Sequence, residues 1–204
     1  MPIFVDHQLQ EQIPRDIFDF PIAFYCDELA DLPNRAGPMH WHPCFEIATA
    51  QNGVLDYQVG QTHTILEPGD SIFVNQNMLH GIRQVSGMEP DHLPIIVFSG
   101  TVIASENSII YQKYIQPILS CDSLPCVVFR HDNGLWKDVR QRINATYRAM
   151  REQSDCYELV VQRNICYVLE AIFRNFDSLP KSEASRVQLN TQVRLQKMLS
   201  YIYE

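Results

Sequence analysis

The chain has 204 residues and a formal net charge of −8, so it lacks the basic footprint of a compact nucleic-acid binder. Hydrophobic residues make up 46% and charged residues 20%, a composition that fills a core and excludes disorder. The charge is uneven: residues 1–100 hold three basic and thirteen acidic residues, whereas residues 101–204 hold thirteen basic and eleven acidic. Two differently built halves are therefore expected.

Residues 1–20 mix Pro, Gln and acids with no period and read as an arm. They carry acids and no apolar centre, so they do not form a signal peptide. From residue 21 the texture changes to short apolar runs, at 21–25, 45–49, 54–59, 62–66, 71–74, 95–98 and 127–129. Turn signals separate them, among them Asn52-Gly53, Gly60-Gln61 and Pro68-Gly69-Asp70. Many short strands at close spacing predict an antiparallel sandwich or barrel over 21–132. The runs on either side of Gly60-Gln61 predict a hairpin.

After Asn133 the period becomes helical. Trp136, Val139, Ile143, Tyr147 and Met150 mark a first helix. Asp155 and Glu158 resemble a capping box that opens a second helix running to about Phe176. That second helix is apolar on two stripes, one through Leu159, Cys166, Leu169, Phe173 and Phe176, the other through Val161, Ile165, Val168 and Ile172. Two stripes need two covers. The barrel supplies one, and a second subunit is expected to supply the other, which assigns dimerisation to Val161, Ile165, Val168, Leu169, Ile172 and Phe176 in a helical pair over 133–177. Residues 178–187 are polar, contain Pro180 and read as a linker. Val193, Leu195, Met198, Leu199 and Ile202 then begin an amphipathic helix over 188–204 with no C-terminal Gly or Pro signal. It is expected to be the first piece of a domain lying beyond Glu204.

The cysteines at 26, 44, 121, 126, 156 and 166 form no C-x-x-C pair, and a chain this long needs no disulfide framework. They read as reduced thiols of a cytoplasmic protein. No apolar run reaches membrane-spanning length.

The segment richest in chemistry is G-P-M-H-W-H-P-C-F-E at 37–46. Side chains alternate along a strand, so in a regular strand His40, His42, Cys44 and Glu46 share a face. Pro43 between them demands an edge position or a bulge. A later segment, 69–80, ends in His80. If the two segments pair inside a barrel, His80 joins His40, His42 and Glu46. Three imidazoles and a carboxylate suit one divalent transition metal, Zn, Ni, Fe or Mn, with positions left open. The same four side chains also suit a hydrogen-bonded ligand pocket that holds no metal. Trp41, Tyr57 and Phe73 supply aromatic faces for a sugar or aromatic effector, or else core. Cys44 serves as a small buried hydrophobe or a further ligand, and Arg83 can clamp an anionic group. His63 and His92 read as surface or satisfied core residues, and His7 and His131 carry no signal.

The patterns G-x-x-H-x-H-x-x-x-E-x6-G, ending at Gly53, and G-x5-N-x-N-x-x-H, ending at His80, resemble the two cupin motifs over about residues 37–84. Asn75 and Asn77 stand where cupin enzymes generally have Pro and Gly. More broadly, a barrel, two helices, a linker and R-L-Q-K-M-L-S-Y-I-Y-E at 194–204 are similar to the AraC family of bacterial transcription regulators. The phrases H-W-H-P-C-F-E-I and E-P-G-D-S-I-F-V-N fit that family's sensor domains. The resemblance implies a mainly β fold with α: a cupin double-stranded β-helix barrel followed by two C-terminal helices. It implies an effector in the barrel near Trp41, Cys44, Tyr57, Phe73 and Arg83, an arm ordering over the pocket, and a homodimer through the helices. DNA would be contacted only through the domain beyond Glu204, and no residue would be catalytic. The alternative is a cupin metalloenzyme, an oxygenase or isomerase, with a metal on His40, His42, Glu46 and His80. A third reading is a free-standing sugar-binding cupin.

Overall fold

The computed structural model describes residues 5–11, 20–29, 32–87 and 92–181. Among the described residues, nine strands form two antiparallel sheets. The first runs β1 (Ile22–Glu28), β8 (His92–Phe98), β3 (Phe45–Thr49), β6 (Ser71–Val74) and β9 (Cys126–Phe129). The second runs β2 (Ala36–His40), β7 (His80–Gly87), β4 (Gly53–Val59) and β5 (Thr62–Leu66). The β4–β5 hairpin pairs Val59 with Thr62 and turns through Gly60 at φ 59, the left-handed region that glycine enters without a Cβ clash. Two helices follow the strands, α2 (Lys137–Glu152) and α3 (Tyr157–Arg174), preceded by a short α1 (Gln116–Leu119). The expected barrel with a C-terminal helical pair is thus the observed architecture.

The layers explain the hydropathy pattern. The first sheet lies between the second sheet and the helices, so both of its faces are dry. Every residue of β3 and β6 is buried, which is why these strands read as continuous apolar runs. Alternate residues serve different cores. Phe45, Ile47, Phe73 and Phe98 pack with Ile143, Ile165 and Val168 in the core beneath the helices. Ala48, Ile72 and Val74 pack with Leu55, Tyr57 and Leu66 in the core between the sheets. The second sheet has one wet face, and β5 is mostly exposed.

Several expectations are corrected. Strands β2 and β7 carry no run in the sequence reading, because Gly37, Pro38 and Gly81 break the pattern. Residues 100–119, for which no element is expected, form a 3₁₀ turn at Gly100–Val102 and a π-turn at Tyr111–Ile115 that leads into α1. The capping box at Asp155 does not form. Cys156 sits at φ 64 before α3, no side chain caps the helix, and the Tyr157 N–H donates to the Ser154 carbonyl. Most important, the assigned dimer stripe is internal. Val161, Ile165, Val168, Leu169 and Ile172 are buried in the chain's own core, and Phe176 packs against it. The sheet and α2 cover most of this stripe, while Leu169 also lines an apolar groove with Cys166 and Phe173. The linker from residue 182 and the helix over 188–204 lie outside the described residues.

Candidate metal centre

The site is assembled across both sheets. β2 pairs with β7 so that His40 sits opposite His80. At Gly81 a Cβ would meet Met39 Sδ, the end of a flexible side chain, at 2.7 Å and the Met39 backbone at 3.4 Å. Pro43 acts as expected: β2 ends at His40, and β3 starts at Phe45. The four ligand candidates therefore do not share one regular strand. His40 ends β2, His42 lies in the connection, Glu46 projects from β3 and His80 opens β7. The Asn77 N–H donates to the His42 carbonyl at 2.8 Å and ties the two connections together. His40, His42, Glu46 and His80 are all buried, and their ligand atoms lie within 4.8 Å of one another.

Each imidazole is oriented by a backbone carbonyl two residues away. His40 Nδ1 is 2.8 Å from the Pro38 carbonyl, His42 Nδ1 is 3.1 Å from that of Cys44, and His80 Nδ1 is 2.8 Å from that of Met78. A carbonyl only accepts, so each Nδ1 carries its proton and donates it. The Nε2 atoms then face inward as lone pairs, the arrangement that fixes the tautomer of a ligating histidine. Glu46 Oε2 lies 3.3 Å from both His42 Nε2 and His80 Nε2. Its other oxygen accepts a short hydrogen bond from the Tyr57 hydroxyl.

Lone pairs and carboxylate oxygens converging without a donor among them require a shared cation, either a proton or a metal ion. The pKa directions agree. Burial, and then the neighbouring His80, push His40 down to about 3, so this ring is neutral. Burial alone would raise Glu46, but the charge of His80 beside it, with the Nε2 atoms of His42 and His80 each 3.3 Å away, holds it well below 4.5. Burial opposes the charge on His80, yet the Glu46 carboxylate keeps its pKa above 6.5. Without a metal, His80 holds a proton more readily than an ordinary imidazole. With a metal, the separations of 3.3 Å fall within the roughly 3–4 Å expected between two atoms ligating one ion at about 2.0–2.2 Å. The donor set fits a divalent transition metal.

Other candidate residues scatter. Tyr57 is at the site through Glu46. Cys44 is next to it through its carbonyl, and burial, with the Glu11 charge, pushes its thiol up to about 11. Trp41 packs beside the mouth, where its Nε1 donates to the Gln8 carbonyl at 2.9 Å. Phe73 faces the helical core on the opposite side of the sheet, away from the site. Arg83 lies on the wet face of the second sheet, 62% exposed, and pairs with Asp56, which also holds His63. Two residues that the sequence reading left aside prove to be placed by chemistry. Glu11 reaches the centre, its Oε2 lying 3.8 Å from His40 Nε2 and 3.9 Å from His42 Nε2. His131 donates its N–H and presents Nδ1 to the buried Asp70. Glu11 stands in an aperiodic stretch, and no spacing signal marks it.

Residues 30–90 match the family model of the cupin domain. The fold is a cupin fold. Among solved structures, apo ToxT K231A from Vibrio cholerae strain SCE256 aligns at a TM-score of 0.53 and 7% identity, over 76% of this chain and 56% of that one. The AraC-like transcriptional activator CuxR aligns at a TM-score of 0.42 and 13% identity, over 87% of this chain and 58% of its own. An RmlC-like cupin from Shewanella frigidimarina NCIMB 400 aligns at a TM-score of 0.33 and 19% identity, over 39% of this chain and 68% of that one. The cupin chain thus spans a little over half the length of ToxT and CuxR, 56% and 58%. No curated protein matches the chain. Among the described residues no helix is long and apolar enough to cross a membrane, and all six cysteines are free thiols.

Proposed function

We propose that this cupin is the sensing and dimerisation domain of a cytoplasmic AraC-type transcription regulator. One observation carries the reading: the four-donor centre lies on one face of the first sheet and the helical pair packs on the other. That layout joins a ligand site to an output surface. The sequence phrases similar to the AraC family support it. The centre would hold Zn, Ni, Fe or Mn on His40, His42, Glu46 and His80. A metal there supplies positive charge and open coordination positions to which a small effector, a sugar or an aromatic compound, can bind. Tyr57, Trp41 and Cys44 are the candidate effector residues closest to it. An effector shifts the regulator only through different affinities for its two states. DNA contact belongs, in this reading, to a separate unit of which 188–204 is the start.

The dimer face moves to the outer stripe of α3. Leu159 is 65% exposed. Beside it, Ile103, Ile110, Tyr114, Cys166 and Phe173 border a groove of about 450 Å³. Glu170 and Arg174 pair at its rim at 2.7 Å. One acid and one base on a single apolar rim suit the self-complementary contact of a two-fold dimer.

The test is a fusion of residues 1–204 to a DNA-binding unit that requires dimerisation, with a reporter read in metal-depleted cells resupplied with each metal. Dimer-dependent reporter activity that changes with metal or effector supports the reading. A monomeric, unresponsive fusion refutes it. The buried donor set favours one second reading, a cupin metalloenzyme of the oxygenase or isomerase class. Turnover of a substrate by the metal-loaded chain would select that reading.

A further inference from the structure

Segment 5–11 is folded onto the barrel at the entrance to the donor cluster. The turn is closed by Asp6, whose Oδ1 accepts from the N–H groups of Gln8 at 2.8 Å and Gln10 at 3.0 Å. Residues 9–11 then pair with Trp41. The Trp41 N–H donates to the Leu9 carbonyl at 2.9 Å, the Glu11 N–H donates to the Trp41 carbonyl at 3.0 Å, and the indole N–H holds Gln8. Trp41 lies between His40 and His42, so this register delivers Glu11 to the two imidazoles. Its side chain is 8% exposed. Its Oε2 is buried with no hydrogen-bond partner among the described residues. A carboxylate oxygen left buried without a donor is costly. Here it faces two inward-pointing Nε2 atoms at 3.8 and 3.9 Å, which also offer it no proton. Those two separations fall in the roughly 3–4 Å range found between atoms that share one metal ion, while Glu11 stands outside the set of donors that all lie within 4.8 Å of one another, so ligation requires its side chain to draw inward.

We propose that Glu11 is a fifth ligand of the metal, so that metal binding and docking of segment 5–11 on Trp41 are one coupled event. The proposal rests on the metal reading of the four-donor centre. It adds a residue from outside the four-residue motif. It also closes one of the positions that those four donors leave open, which leaves a single site on a six-coordinate ion for any added ligand.

The test uses the full 204-residue chain and Zn²⁺ as the probe, with Ni²⁺ and Mn²⁺ in parallel. Affinity is measured by competition with a chromophoric chelator for the wild type, Glu11→Gln and His80→Ala. The expected result is a loss of at least the roughly 10- to 100-fold that removal of an outer-shell partner costs in Glu11→Gln. The same variant melts no lower than the wild type without metal, because it removes a buried charge. Hydrogen exchange supplies the second readout. Zn²⁺ should slow exchange of the Glu11 and Trp41 amides in the wild type and leave them unchanged in Glu11→Gln. If Glu11→Gln binds Zn²⁺ within twofold of wild type while His80→Ala loses it, the metal centre stands and Glu11 is not its ligand. If both proteins bind but Zn²⁺ protects segment 5–11 equally in each, the coupling is refuted. If the wild type binds none of the three ions, the metal reading fails and this proposal falls with it.

Discussion

Asp70→Asn isolates the joint between the barrel and the helical pair. Asp70 is fully buried in the turn before β6. Its carboxylate accepts from the N–H of Glu67 at 3.0 Å, the N–H of His131 at 2.6 Å and Arg130 Nη1 at 2.8 Å, and it also faces His131 Nδ1 at 2.9 Å. Arg140 of α2 in turn binds the carbonyls of Arg130 and His131. The amide keeps one acceptor and turns the other into a donor facing donors. Breaking a buried charge pair costs about 3–5 kcal/mol. Arg130 and His131 are roughly two-fifths exposed, so screening lowers the estimate to about 3 kcal/mol. At about 2–4 °C per kcal/mol for a chain of this size, the melting point should fall by about 6–12 °C. Burial opposes the charge, but these hydrogen bonds hold the pKa below its ordinary 3.8. A lowered acid pKa means that the unfolded chain binds the proton more readily. The contribution is therefore present in full above pH 3.8 and fades as pH falls through the folded value. Urea unfolding of both proteins between pH 7 and pH 3, followed by circular dichroism, reads this directly. A gap under about 0.5 kcal/mol at pH 7, or a gap that does not narrow in acid, would refute the reasoning.

Four further outcomes are expected. Tyr57→Phe removes the hydroxyl that donates to Glu46 Oε1 and should lower Zn²⁺ affinity about 10- to 100-fold with the fold intact. Gly81→Val drives a Cβ to 2.7 Å from Met39 Sδ and to 3.4 Å from the Met39 backbone. It should cost about 1–3 kcal/mol in stability and, by parting His40 from His80, weaken Zn²⁺ binding in the same chelator assay. Leu159→Lys should leave monomer stability within about 0.5 kcal/mol while sedimentation shows the dimer dissociating. By contrast, Ile165→Ala opens a cavity in the internal core and should cost about 2–5 kcal/mol.

The sequence carried the strands whose residues obey a period. Phe45–Thr49, Thr62–Leu66 and Ser71–Val74 begin and end where the pattern places them, because burial on one or both faces forces apolar choices there. β2 and β7 escaped notice because their pairing depends on small residues, Gly37 and Gly81, which carry no hydropathy. The donor set was readable from residue type and spacing. Its geometry was not, since the break at Pro43 removes the alternation on which the shared-face reading stood. The stripe on α3 was seen, but apolarity alone does not say whether the cover is the chain's own sheet or another copy. Phe73 alternates to the helix side of β6, and alternation has two senses until the strand's neighbours are known. Glu11 was invisible, because only the fold brings an arm residue to a pair of imidazoles some thirty positions later.

Strand β3 has a consequence for how occupancy of the centre would be felt. Glu46 faces the donors, and its two neighbours, Phe45 and Ile47, are wedged among the side chains of the helical core. A single peptide unit on either side joins Glu46 to each of them. A close-packed interior is nearly incompressible, so Glu46 cannot be drawn toward an ion without shifting two large side chains beneath α2 and α3. With an ion bound, the sheet would act less as a wall than as a thin diaphragm, stressed from one side and read from the other.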